Sequence, residues 1–331
     1  MLNNKSILIT GGTGSFGKAF ISHILKKYKK VKRIVIYSRD ELKQFDLQKK
    51  YNPKKYKSLR FFIGDIRDKE RLNTALNGVD YIIHAAALKQ VPTAEYNPIE
   101  VIKTNVIGAQ NIIECSFNNK IKKVIALSTD KAAAPINLYG ATKLCSDKLM
   151  VAANNIKGNN KISFSVVRYG NVMGSRGSVI PEFKKQSENK LIKITDKRMT
   201  RFNISLQESV EMVLWSLKNS QGGDILVPKI PSYNILDLAK AISKNSKIIF
   251  TGIRPGEKLH EEMITSSDSF NTYEIEKYYI ILPSIHDEEL KAYKKRFKVK
   301  KVPENFVYSS GANKTFLTIN ELKELINTHI K

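Results

Sequence analysis

The feature that most constrains this chain is the alternation of short β-branched runs with stretches long enough for a helix. "SILIT", "RIVIY", "RFFIG", "YIIHA", "KVIALS" and "SFSVVRYG" follow one another through the first half, each trailed by a polar or amphipathic segment. Such alternation predicts βαβ units and a parallel sheet. The runs are continuously apolar, as strands are when helices cover both faces of their sheet. After Gly174 the rhythm breaks. "GSRGSVIPEF" and "ITDKRMTRFN" read as polar loops, residues 205–219 have the spacing of an amphipathic helix, and a smaller mixed region runs from about Asp224 onward. Ser205, with Glu208 three residues on, is the expected cap of that helix.

The first run opens into "GGTGSFG", which sets Gly11, Gly14 and Gly17 directly after a strand and at the mouth of a helix. Glycines there let a diphosphate approach the backbone amides at the positive end of the helix. The loop from Gly11 to Gly17, with Thr13, Ser15 and Phe16, is therefore the candidate dinucleotide cradle. The fold class expected is α/β: a doubly wound parallel Rossmann sheet over residues 1–175, with helix 205–219 packing back on it. A smaller, partly interleaved mixed α/β substrate domain is expected from 176–204 and 220–331. The second strand ends in "VIYSRDELKQ". An acidic residue at its end would bind a free ribose hydroxyl and repel a 2′-phosphate, whereas Ser38 and Arg39, with Lys43 a turn further on, offer a donor and cations. NADP(H) is the expected cofactor, although Asp40 could bring a carboxylate to the ribose. Asp65, with Ile66 beside it, is a candidate for the adenine side, and Ala85 and Ala86 are candidate cofactor neighbours.

Length allows about two domains. An apolar strand pattern begins almost at Met1 and no apolar run approaches the ~18 residues of a membrane span, so a soluble cytoplasmic protein is expected. Cys115 and Cys145 stand apart from each other and from any zinc-like histidine spacing, which argues against disulfides and metal. The balance of 56 basic to 31 acidic residues, net +25, raises nucleic acid as a partner. The lysine runs lack interleaved aromatics and read as solvated faces, so nucleic acid is not expected. The sparse arginines are more telling. Arg39, Arg168, Arg176, Arg201 and Arg254 all fall in motif-like segments, where a planar guanidinium suits phosphate.

"LSTDKAAAPINLYGATKL" carries the candidate chemistry. Tyr139 and Lys143 are four apart and share a helix face. A phenol of ordinary pKa ~10 needs a nearby ammonium to act as a base at neutral pH. Ser128, Thr129, Asp130 and Lys131 close the preceding strand, and parallel sheets do their chemistry at the carboxyl ends of their strands. The competing reading, a surface ion pair between Asp130 and Lys131, would contribute about 1 kcal/mol or less. Asn105 in "KTNVIG" is expected to be a core amide bridging backbone near the site, and Tyr169 to pack on the cofactor side.

This layout resembles the extended short-chain dehydrogenase/reductase superfamily, in which a Ser/Thr and a YxxxK pair move hydride between a sugar carbon and nicotinamide. Within it, Asp130-Lys131 with the downstream Tyr139 is similar to the inverting UDP-N-acetylglucosamine 4,6-dehydratases that open pseudaminic acid synthesis. Retaining dehydratases carry Asp-Glu there, and 4-epimerases usually lack the Asp. "HAAALKQVPTAEYNP", "RYGNVMGSRGSVIPEF", "MTRFNIS", "RPGEKLHE" and "YSSGANKTFLTINELKELI" extend the likeness over nearly the whole chain. The resemblance implies Thr129, Asp130, Lys131, Tyr139 and Lys143 as catalytic residues, with Asp130 the acid and Lys131 the base. It implies a UDP-N-acetylglucosamine grip made by Lys89, Asn171, Arg176, Ser178, Arg201, Arg254 and Glu257. It also implies a homo-oligomer, at least a dimer. A 4-epimerase and a fucosamine-type inverting dehydratase remain the alternatives within the superfamily, and a cofactor-sensing regulator the alternative outside enzymes.

Overall fold

A computed structural model describes residues 1–175, 177–283 and 287–329. Six parallel strands come first: β1 (Ser6–Thr10), β2 (Arg33–Ser38), β3 (Leu59–Ile63), β4 (Tyr81–His84), β5 (Lys123–Thr129) and β6 (Ser163–Tyr169). Between them run α1 (Ser15–Lys27), α2 (Glu41–Lys50), α3 (Lys69–Ala75), the short α4 (Val91–Tyr96) and α5 (Pro98–Ile102), α6 (Gly108–Asn118) and α7 (Leu138–Ala152). Then come β7 (Asn171–Val172), α8 (Val179–Glu188), β8 (Leu191–Ile194), β9 (Thr200–Ile204), α9 (Leu206–Asn219), β10 (Ile225–Pro228), β11 (Ser232–Asn234), α10 (Ile235–Ile242) and β12 (Lys247–Phe250). The chain continues through β13 (Glu262–Ile264), β14 (Thr272–Ile275), β15 (Tyr278–Ile281), α11 (Asp287–Lys294), β16 (Val299–Lys301), β17 (Tyr308–Ser309) and α12 (Ile319–His329).

The central sheet has the order β16-β14-β15-β10-β6-β5-β4-β1-β2-β3. From β3 through β10 the neighbours are parallel, and β15, β14 and β16 add on antiparallel. This is the doubly wound Rossmann architecture, and its strand order reverses between β1 and β4, where such sheets bind ligands. Both faces are covered. Phe20, Ile24, Val213 and Leu217 fill one side, and Leu72, Ile112 and Met150 the other. The helix over residues 206–219 packs on α1, β5 and β6, with Ser205 and Glu208 forming a reciprocal capping box. A third apolar cluster, including Ile180, Phe183, Leu238 and Leu322, supports a small three-stranded sheet of order β11-β9-β7 beside the carboxyl ends of the main strands.

One expectation needs correcting. Residues 220–331 do not all serve the smaller lobe, because β10, β14, β15 and β16 return to the central sheet. The aromatic runs in this region, such as "YYII", are continuous apolar strands of the same kind as those in the first half, and they pair where a buried edge is available.

A π-helical segment, Lys103–Ile107, joins α5 to α6 and turns Asn105 inward. Its side-chain oxygen accepts from the Leu88 amide at 2.9 Å, and its amide donates to the Leu88 carbonyl at 2.9 Å and to Thr142 Oγ1 at 3.0 Å. Asn105 is thus the backbone bridge expected of it, tying the loop after β4 to α7; π-bulges of this sort are frequent near functional sites. Replacing it with Ala strands both Leu88 backbone groups, and about 2 kcal/mol or more of stability should be lost in urea unfolding.

Candidate active site

The loop after β1 approaches the loop after β4 across the reversal point. Gly11 has φ +65°, and a β-carbon on it would meet the Ala86 backbone at 3.0 Å. A β-carbon on Gly17 would fall on the backbone of Gly12. Gly14 caps α1 without a side-chain bond, which leaves the helix start to be met by another polar group. Thr13 is buried and Phe16 stacks on Phe20 at 5.9 Å, so the cradle is braced from beneath. Thr10 Oγ1 accepts from the amides of Ala85 and Ala86 at 3.1 Å each and bonds His84 Nδ1 at 2.9 Å. The residues present fit a dinucleotide: a backbone cradle with no side chains in the way, at the positive end of a helix.

At the end of β2, Ser38 is held by Gln44, which donates to its hydroxyl at 3.1 Å and to its carbonyl at 3.0 Å. Asp40 caps α2 by accepting from the Lys43 amide at 2.9 Å and pairs with the Lys43 ammonium. Its carboxylate is therefore engaged locally. Arg39 is half exposed, 3.4 Å from Asp65. Asp65 accepts from Arg67 at 2.7 and 2.9 Å. Burial would raise its carboxyl, but the Arg67 hydrogen bonds and the Arg39 charge hold it below the usual range. Ile66 is buried in the core, its carbonyl bonded by Asn111 at 2.9 Å.

The candidate reactive groups gather at the carboxyl end of β5. Strand alternation separates the two hydroxyls there. Ser128 donates to Asp147 Oδ2 at 2.7 Å, whereas Thr129 Oγ1 bonds Asp130 Oδ1 at 3.0 Å. Asp130 and Lys131 lie in a 3₁₀ turn, Asp130–Ala132, with Lys131 Nζ 3.0 Å from Asp130 Oδ1. Asp130 is fully buried, so the pair is not the solvated surface contact of the competing reading. The turn packs tightly on α7, because a β-carbon at Gly140 would fall on the Lys131 carbonyl. Asn137 caps α7 and donates to the Gly256 carbonyl at 2.9 Å, and Lys258 donates to the Ala133 carbonyl at 2.9 Å. The "RPGEKLHE" segment therefore clasps the reactive turn.

Burial raises the Asp130 carboxyl against the pull of Lys131, and the Glu261 charge adds to the rise. Burial alone would lower Lys131, yet Asp130 and Glu261 hold its ammonium above the ordinary value. The Tyr139 phenol is pushed up to about 12 by burial, against the charge of Lys131 and a hydrogen bond with Thr129. The Lys131 charge thus bears on this phenol from the turn that precedes α7. Lys143 is buried, lowered by desolvation against the charge of Asp147. Lys89 is lowered by desolvation and by Lys131, which brings it to the same cluster.

Of the other predicted residues, Asn171 lies on β7 and hydrogen-bonds Tyr233, a buried phenol also acted on by Arg201. Arg201 donates to the carbonyls of Thr200 at 2.7 Å and Leu259 at 3.0 Å. Ser178 caps α8 with its hydroxyl oxygen buried and without a partner among the described residues. Arg254 is 66% exposed, 3.9 Å from Glu257, away from the buried cluster. Arg176 lies outside the described residues. Arg168 does not have the phosphate-holding place its motif suggested: it is buried against Asp147 at 3.3 Å and Asp268 at 3.5 Å, and it donates to the Met263 carbonyl.

Sequence reasoning missed three members of this cluster. Asp147 was within reach, since Tyr139, Lys143 and Asp147 repeat at intervals of four on one helix face. Glu261 and Tyr233 carry no such spacing. Lys131 Nζ is 3.1 Å from Glu261 Oε1, and that contact joins segments far apart in the chain.

The fold and site define a nucleotide-binding α/β enzyme architecture. The sequence model of a family described as "Polysaccharide biosynthesis protein" matches residues 7–283, and the chain belongs to that family. It is 56% identical over 333 residues to a Campylobacter jejuni protein named UDP-N-acetylglucosamine 4,6-dehydratase (inverting), covering 99% of this chain and 98% of that one. It is 44% identical to a Rickettsia prowazekii protein named UDP-glucose 4-epimerase, over 99% and 97% of the two chains. Among solved structures, Pen from Bacillus thuringiensis superposes with a TM-score of 0.90 at 36% identity, over 99% and 98% of the two chains.

His84 supplies a test of this site's burial. Desolvation, then the charge of Lys143, lowers its imidazole to about 3. The unfolded imidazole binds a proton near pH 6.5 and the folded one does not, so this group's contribution to stability falls as pH drops from about 6.5 towards 3. NMR titration should show the His84 ring neutral throughout pH 5–8; a midpoint inside that range would contradict the packing.

Proposed function

We propose that the protein dehydrates UDP-N-acetylglucosamine with inversion at carbon 5, giving UDP-2-acetamido-2,6-dideoxy-β-L-arabino-hexos-4-ulose, with NADP as a retained cofactor. The observation that carries this reading is the acid–base pair Asp130–Lys131, 3.0 Å apart and flanked by Thr129 and Tyr139. A 4-epimerase needs a base at the 4-hydroxyl but no acid for a departing 6-hydroxyl. The acid of the pair, Asp130, therefore favours dehydration over the activity named for the Rickettsia relative.

Tyr139, hydrogen-bonded to Thr129 and with Lys143 on the same helix face to steady its phenolate, takes the proton of the 4-hydroxyl. A nicotinamide nucleotide held by the Gly11–Gly17 loop would supply the hydride chemistry, with carbon 4 oxidised and carbon 6 later reduced. The ketone formed at carbon 4 acidifies the hydrogen on carbon 5. Lys131 as free amine removes that proton, and Asp130 protonates the 6-hydroxyl, which leaves as water. Tyr139, protonated in the first step, returns a proton to carbon 5 from the opposite face and so inverts that centre. Oxidation at carbon 4 and reduction at carbon 6 balance, so no external oxidant is consumed.

The groups at the end of β2 support NADP. Asp40 is occupied as a helix cap, leaving Arg39 as the exposed cation where a 2′-phosphate would lie. Lys89, Asn171 and Arg201 border the reactive cluster on the sugar side of this reading, with Ser178, Arg254 and Glu257 further out towards the nucleotide.

Incubation with UDP-N-acetylglucosamine alone in heavy water should give a 4-keto-6-deoxy product carrying deuterium at carbon 5 with inverted configuration by NMR. Unlabelled product, or retained configuration, would sink the assignment. Lys131→Ala should abolish water loss while NADP+ stays bound, and wild-type dehydration by that variant would remove Lys131 as the base. Arg39→Asp should weaken NADP+ binding at least tenfold relative to NAD+ by isothermal titration, an effect of about 1.4 kcal/mol.

A further inference from the structure

Glu261 comes to the reactive turn from the segment just before β13, and its backbone is fixed there. Its amide donates to Ser310 Oγ at 2.9 Å and its carbonyl accepts from the Ser310 amide at 2.8 Å. Ser310 Oγ in turn bonds Thr200 Oγ1 at 2.8 Å. The Glu261 side chain is 3% exposed, and its Oε1 lies 3.1 Å from Lys131 Nζ and 3.8 Å from Arg201 Nε. Its Oε2 and Asp130 Oδ2 are both buried without a partner among the described residues. A buried carboxylate with an unmet oxygen is costly unless its charge has a use.

We propose that Glu261 is a positioning residue for the reaction. It holds the Lys131 amine against Asp130, and its fixed negative charge keeps the one proton shared by that pair from leaving at neutral pH. This rests on the acid and base roles given above to Asp130 and Lys131. The working form of the pair carries a single proton, on Asp130, with Lys131 free. In that form Glu261 stays matched by Arg201, so the cluster remains neutral as the proton moves between Lys131 and Asp130. The other groups acting on the cluster are Tyr139 from α7, Tyr233 from β11, and the ammoniums of Lys89 and Lys258. While Lys131 is an ammonium, its charge and that of Arg201 hold the Glu261 carboxyl below the usual carboxylate range against burial, and Arg201 stays beside it when Lys131 is free.

Removing that charge makes protons easier to lose from both Asp130 and Lys131. The pH profile of kcat for dehydration in Glu261→Gln should therefore move on both limbs to lower pH by about one unit, with KM changed less than about threefold. Glu261→Asp, which keeps the charge but draws it back by one methylene, should move both limbs the same way by less. It decides the matter alone if the Gln variant does not fold. A reduced kcat with both limbs unmoved in either variant would mean that Glu261 only packs, and would overturn the proposal. Lys131→Gln run in parallel separates the two readings. If it still exchanges the carbon 5 hydrogen with solvent, the role of Lys131 fails. If it does not exchange and the Glu261 variants leave the limbs in place, only the inference about Glu261 fails.

Discussion

An ammonium held between two buried carboxylates is the interaction on which the site is built. Lys131 reaches Asp130 beside it at the end of β5 and Glu261 from a segment 130 residues further on, with Arg201 of β9 closing the set. Carboxylates this deeply buried carry a desolvation cost that only close counter-charges offset, so removing one member leaves the others exposed to the full penalty. The surrounding contacts are consistent with that demand: Ser310 fixes Glu261, Asn137 and Lys258 clasp the turn, and Gly140 lets α7 press against it.

The cofactor half of the molecule obeys a different rule. Its cradle is made by what is missing, since Gly11 and Gly17 leave backbone where side chains would stand. Thr10 and His84 brace the facing loop, and Asn105 ties that loop to the helix bearing Tyr139 and Lys143. Distances between the glycine loop and the Asp130–Lys131 pair are thus set by rigid strands and a few buried amide bonds, which is how a parallel sheet holds groups in register.

Much of this was legible in the chain because it depends on local pattern. Continuous β-branched runs gave the strands of the central sheet, glycine spacing gave the loop after β1, and Ser205 with Glu208 gave the start of α9. Tyr139 and Lys143 share a face because a helix repeats every 3.6 residues. What escaped depends on contacts between distant segments. Nothing near Glu261 says it will meet Lys131, and nothing near Arg168 says its guanidinium will be spent on Asp147 and not on a phosphate. The segments 225–228, 272–275, 278–281 and 299–301 read only as part of a smaller mixed region, because the sheet they join is chosen by an available edge, which no single segment records.

The clasp between the late "RPGEKLHE" segment and the early "DKAAAPIN" turn also limits how this chain could be recombined. A boundary drawn between the front and back halves of the chain does not leave the Lys131 cluster whole, because its Glu261 counter-charge is encoded in the back half. A hybrid joining halves from two relatives would inherit the lysine at 131 from one parent and the carboxylate beside it from the other.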